Sequence, residues 1–94
     1  MPDAMKIGGV TGWQQAAALA AAHRVPMSSH IFIEASVQLL PATPTAHLLE
    51  HLDVAGPLLR DPFVVQDGMA PVPARPGLGL EWDAAALTRW QADA

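Results

Sequence analysis

Asp3, His30 and Glu50 lie 27 and 20 residues apart, an acid, a histidine and an acid at a spacing that suits successive βα units of a compact barrel. In such barrels the reacting groups come from the C-terminal ends of several strands, whose loops face a common mouth. Three residues so placed converge, and their types suit proton transfer. Each also has an ordinary reading. Asp3, close to the first residue, suits a solvated carboxylate; His30 suits the cap of a following helix; Glu50 suits a pair with a surface cation.

Two other patterns compete for attention. His47, Glu50 and His51 spell H-x-x-E-H, in which two histidines one helical turn apart hold zinc and the glutamate activates water. Pro44 on one side and Gly56 and Pro57 on the other leave little room for the required helix, and no third ligand is evident. Gly8, Gly9 and Gly12 superficially resemble a phosphate loop, but neither the dinucleotide fingerprint nor the Walker spacing is met. Tight turning from a strand into a helix explains them better. Trp13, Trp82 and Trp90 lack a basic surround and read as packing groups rather than stacking platforms.

The elements that must position these residues follow from local chemistry. Thr11 and Gln14 stand at capping-box spacing before an alanine-rich run, which predicts a helix over 11–24 with Arg24 at its negative end and Pro26 as its stop. Met27 and Ser28 read as a short strand, and Ser29 as the cap of a second helix over 31–40 ended by Pro41. Residues 46–49 read as another short strand, and 54–59 as a helical turn. This alternation is that of an α/β parallel sheet. Beyond it, 63–65 and 69–72 flank the hairpin signal Gln66-Asp67-Gly68, a Pro- and Gly-rich stretch suggests an irregular return path, and Asp83 caps a last short helix through Trp90.

Composition narrows the function classes. Five basic against nine acidic residues give a net charge of −4, and the basic residues are scattered, which argues against a nucleic-acid surface. With no cysteine there are no disulfides or thiolate metal sites, and the cytoplasm is the default compartment. No apolar run reaches the ~20 residues needed to span a bilayer, and residues 1–7 lack the pattern of a signal peptide. Two short helices and the ends of about three strands cannot close a barrel or cover both faces of a sheet, so the chain reads as a piece.

The word Pro2-Asp3-Ala4-Met5-Lys6-Ile7-Gly8-Gly9-Val10-Thr11-Gly12-Trp13 resembles the sixth-strand segment of the mandelate racemase/muconate lactonizing enzyme family, in the enolase superfamily. Val25 to His30 resembles the seventh-strand segment. Ala42 to His47, leading to Leu49-Glu50, resembles the eighth, and Pro76-Gly77-Leu78-Gly79-Leu80 the C-terminal return. The resemblance implies a modified TIM barrel, of which this chain carries the end of the sixth strand through the eighth in residues 1–62. The return segment in 63–94 would pack on the barrel and a capping domain.

The resemblance also implies a chemistry: abstraction of the proton next to a carboxylate, with His30 as general base, Asp3 as its partner and Glu50 as an acid donating to the substrate carboxylate. A carbon acid of this kind yields its proton to a histidine only if the developing charge is stabilised. In the full-length parent that task implies Mg²⁺, as the handling of enediolates in this superfamily requires. The family's catalytic lysine, metal-binding carboxylates and capping domain have no counterpart in these residues, so no metal is expected to bind this chain alone. The expectation is an isomerase fragment, inactive by itself, whose homo-oligomeric parent racemises a 2-hydroxy acid. Its origin is expected to be a truncated gene or an internal start, or else an expressed half-barrel. An acid-sugar dehydratase and a non-catalytic remnant or interaction module are the alternatives.

Overall fold

A computed structural model of the chain describes residues 1–92; the last two residues of the expected return segment, 93 and 94, lie outside them. Helix α1 spans Gly9–Ala22, α2 spans Ile33–Leu39 and α3 spans Ala84–Arg89, with 3₁₀ turns at Leu40–Ala42 and Gly56–Leu58.

The first helix starts two residues earlier than its capping-box signal. Gly8 and Gly9 both adopt positive φ, 91° and 68°, and turn the chain so sharply that Gly8 takes the N-cap position with no side-chain cap. Thr11 is therefore inside the helix, and the predicted box with Gln14 is not used. At the other end the helix closes at Ala22 rather than Arg24. The Arg24 and Val25 amides donate back to the Ala21 and Ala20 carbonyls, with Arg24 left-handed at φ 53°. This is a Schellman closure, in which the arginine serves by its backbone rather than by its charge.

The expected strands contract to a single parallel bridge between Met27 and Ala46. The Met27 amide donates to the Thr45 carbonyl at 2.9 Å and the His47 amide to the Met27 carbonyl at 3.0 Å, so the pairing is parallel, as an α/β unit requires. Past that point one more backbone bond follows, from the Ser29 amide to the Leu48 carbonyl at 3.0 Å, and side chains supply the rest. The Leu48 amide donates to Ser28 Oγ and the Glu50 amide to Ser29 Oγ, at 3.2 and 3.0 Å. Ser29 thus holds the neighbouring segment and does not cap α2. That helix begins only at Ile33, behind a left-handed Phe32, because the chain first has to turn away from the bridge.

Met27 packs with Ala4, Trp13, Ala17, Leu39 and Leu40 in the core, backed by Ile7, Ala16, Ala20 and Leu49. Its one buried aromatic is Trp13, whose indole N–H donates to Thr43 Oγ1 at 2.9 Å, while the same hydroxyl donates to the Leu39 carbonyl. Trp82 and Trp90, expected to pack, are instead 50% and 64% exposed.

The return path is tied down by hydrogen bonds rather than by core. Asp67 and Gly68 both have positive φ, and Gln66 and Met69 exchange both hydrogen bonds across them, a two-residue hairpin turn. Gln38 of α2 donates to the Pro73 and Leu78 carbonyls, and Leu59 pairs antiparallel with Trp82. Asp83 accepts from the Ala86 amide at 2.9 Å and so caps α3 as its sequence predicts.

Candidate active site

Met27 and Ser29 turn toward the core, so their chain neighbours Ser28 and His30 face the other side of the pairing, which is open. Asp3 reaches that side from the turn preceding α1. It is fixed before it meets the histidine: its Oδ1 accepts the Met5 amide at 2.9 Å, and the Lys6 and Ile7 amides close on its carbonyl.

The three residues meet around the imidazole. His30 Nδ1 lies 3.3 Å from Asp3 Oδ2, and His30 Nε2 lies 4.0 Å from Glu50 Oε1. Asp3 is buried, whereas the side chains of His30 and Glu50 are 40% and 38% exposed. Burial pushes the Asp3 carboxyl up. The Met5 amide, the His30 hydrogen bond, and the charges of Lys6 and His30 outweigh that and hold it below its ordinary 3.8. An ionised carboxylate only accepts, so Nδ1 carries the proton that donates to Asp3, and Nε2 is left on the open side.

The ordinary readings of these residues fit less well. Asp3 is not solvated, and the N-cap of α2 is Phe32, so His30 does not cap that helix. Glu50 Oε1 accepts the Ile31 amide at 3.3 Å instead of meeting a lysine or arginine. The zinc pattern also comes apart, because residues 47–51 are not helical: His47 Nδ1 lies 3.2 Å from Ser28 Oγ, while His51 packs against Phe63 in a tilted pair with ring centroids 6.0 Å apart.

Sequence reasoning missed the groups that set this geometry: the hydroxyls of Ser28 and Ser29, and the Ile31 amide. The only sequence signal for them is a pair of serines directly before the histidine.

Residues 1–86 match the family described as enolase C-terminal domain-like. The chain belongs to that family. An enolase from Bradyrhizobium, solved with magnesium and mandelic acid, superposes with a TM-score of 0.94 at 52% identity, over 99% of this chain and 26% of that one. L-Talarate dehydratase from Polaromonas sp. JS666, solved with Mg and L-glucarate, superposes with a TM-score of 0.84 at 34% identity, over 94% of this chain and 25% of that one. In sequence, D-gluconate dehydratase of Thermoproteus tenax is 36% identical over 98% of this chain and 20% of its own length. The enolase-superfamily chain therefore spans about a fifth of the curated relatives it matches. Its resemblance to that superfamily holds, and racemases and dehydratases both stand among its neighbours.

A magnesium ion wants a nearly octahedral set of oxygens. Among the described residues no three His, Asp or Glu side chains are gathered where they could hold a metal ion. Asp3 and Glu50 are turned to opposite nitrogens of one ring, so the carboxylates present do not fit a Mg²⁺ site by themselves. No helix of the described residues is long and apolar enough to cross a membrane.

Proposed function

We propose that these residues form the proton-transfer side of an active site that removes the proton α to a carboxylate, in a parent enzyme that racemises a 2-hydroxy acid such as mandelate. The observation that carries this reading is the ordered imidazole: Asp3 holds Nδ1, and Nε2 is left toward solvent with Glu50 beside it. A base needs that arrangement, with its tautomer set by a group behind it and its lone pair facing the substrate. Glu50, anchored by the Ile31 amide, is placed to donate to the substrate carboxylate when it carries a proton. The 52% identity to a Bradyrhizobium enolase solved with mandelic acid supports a 2-hydroxy acid as substrate.

Dehydration of an acid sugar is the second reading, supported by the gluconate and talarate/galactarate dehydratases among the relatives. Both reactions begin with the same proton abstraction. They part afterwards, when the carbanion either regains a proton on the opposite face or expels the β-hydroxyl. Incubation of the parent enzyme with each substrate class separates them, since only dehydration yields a 2-keto acid.

Racemisation needs a base on each face of the planar intermediate, and the family resemblance puts a lysine opposite His30. Replacing His30 with Asn keeps a polar side chain of similar shape and removes the base. Racemisation should then fall by several orders of magnitude, on the order of the 10²–10⁴-fold or more that a positioned base contributes. The enantiomer facing the lysine should still exchange its α-proton with deuterated solvent, and the other should not. Equal exchange of both enantiomers by the variant would remove His30 from the mechanism.

A further inference from the structure

We infer that Ser36 is a positioning residue for the candidate site: its hydroxyl holds a strained elbow at Ile31 and Phe32, and the elbow aims the Ile31 N–H at Glu50. The inference rests on the proposed function only for its catalytic consequence; the geometry stands apart from it.

Directly after His30 the chain takes two consecutive left-handed residues, Ile31 at φ 52° and Phe32 at φ 45°. Neither is glycine, and Ile31 is β-branched, the residue class for which positive φ is most strained. Such strain persists only where surrounding contacts over-determine it, and it gathers at functional sites. The contacts here are specific. The Ser36 hydroxyl donates to the Ile31 carbonyl at 3.1 Å, and the Ser36 and Ala35 amides donate to the Phe32 carbonyl at 3.0 and 3.2 Å. Ser36 is fully buried. Its hydroxyl reaches five residues back, past the first carbonyl of its own helix, which is not the i−4 bond a helical serine usually makes.

While Ser36 pins the Ile31 carbonyl, the Ile31 amide donates to Glu50 Oε1 at 3.3 Å. That bond, together with the Glu50 amide on Ser29 Oγ, holds the carboxylate beside His30 Nε2. Were the elbow to relax to negative φ, the amide would swing off Glu50.

The test reads the Ile31 amide by NMR in the protein carrying these residues. Replacing Glu50 with Ala should shift the Ile31 amide proton clearly upfield, because the acceptor is gone. In a Ser36→Ala background the same replacement should produce less than half that shift, while Ser36→Thr, which keeps the hydroxyl, should restore it. Ile31→Gly combined with Ser36→Ala should also restore it, because glycine takes positive φ at no steric cost and no longer needs the clamp. Should Ser36→Ala alone fail to fold, the double variant decides. Its folding with the shift restored supports the clamp; its failure to fold makes Ser36 a packing residue and overturns the inference, as does an unchanged response in the single variant. In an active parent, Ser36→Ala should lower kcat more than it changes KM. A protein without catalysis would leave the amide shifts as stated, so the two readings fail separately.

Discussion

Asp3 does its work through two oxygens with different duties. Oδ1 is committed to the Met5 amide, which anchors the carboxylate to its own turn, and Oδ2 is left for His30. Because the folded carboxyl titrates below its ordinary 3.8, its contribution to stability is present above that value and is lost as the pH falls through the lowered one. Thermal unfolding of the full-length parent followed from pH 6 to 2 should therefore show a steeper acid loss with Asp3 in place than in Asp3→Asn, which cannot ionise. Superimposable profiles would mean that the Asp3–His30 contact contributes nothing. The site was readable at this scale because its three members are chemically conspicuous. Ser28, Ser29 and Ser36 are not, since a serine hydroxyl suits almost any surface or turn and its partner here lies elsewhere in the chain.

Among the elements, the start of α1 matters most, because it places Asp3 and the core at once. Gly12 lies inside this helix, where alanine would ordinarily be worth about 1 kcal/mol over glycine. A Cβ on Gly12 would overlap the Ile7 carbonyl of the preceding turn. In the full-length parent we therefore expect Gly12→Ala to reverse the usual sign and destabilise by about 1–3 kcal/mol, the range of overpacked cores. It should also displace Asp3, which belongs to the same turn, so that the His30 ring signals shift in an NMR spectrum. A variant as stable as the parent, with unmoved His30 signals, would contradict the close approach. Gly8 and Gly9 were read correctly as turning residues, but Gly12 lies inside the helix and serves a close approach instead, and the capping box was misread: Thr11 and Gln14 have the right spacing, and the two left-handed glycines start the helix before that spacing can act.

For the molecule as a whole, the radius of gyration of 14.5 Å exceeds the ~12.4 Å of a compact domain of this length. The chain is elongated, 46 × 34 × 23 Å, and large apolar side chains such as Leu19, Leu48, Met69 and Trp90 are mostly exposed. A surface of this kind needs cover, and a core resting on one buried tryptophan does little to offset its absence. Produced as these 94 residues alone, the chain should bind a hydrophobic dye and melt without a sharp transition. A dispersed amide spectrum from a monomer with cooperative unfolding would overturn this. Titration of the same chain with Mg²⁺ should give no saturable heat at micromolar metal, because its acidic side chains are dispersed or already committed to His30.

What the amino-acid sequence determined by itself is what neighbouring residues decide among themselves. The alanine-rich helix, the Asp67-Gly68 turn and the Asp83 cap each depend on partners a few residues away, and each was legible without a fold. The words around Asp3, His30 and Glu50 carried the family as well. Only the tertiary structure decided how those residues are held. The serine clamps join segments 20 and 21 residues apart, Trp13 finds Thr43 across 30, and Gln38 ties down the return path across 35 and 40. No local preference foretells them. The elbow at Ile31 and Phe32 goes further, since local sterics argue against it, and only contacts made by the folded chain can hold a β-branched residue where its own backbone disfavours it.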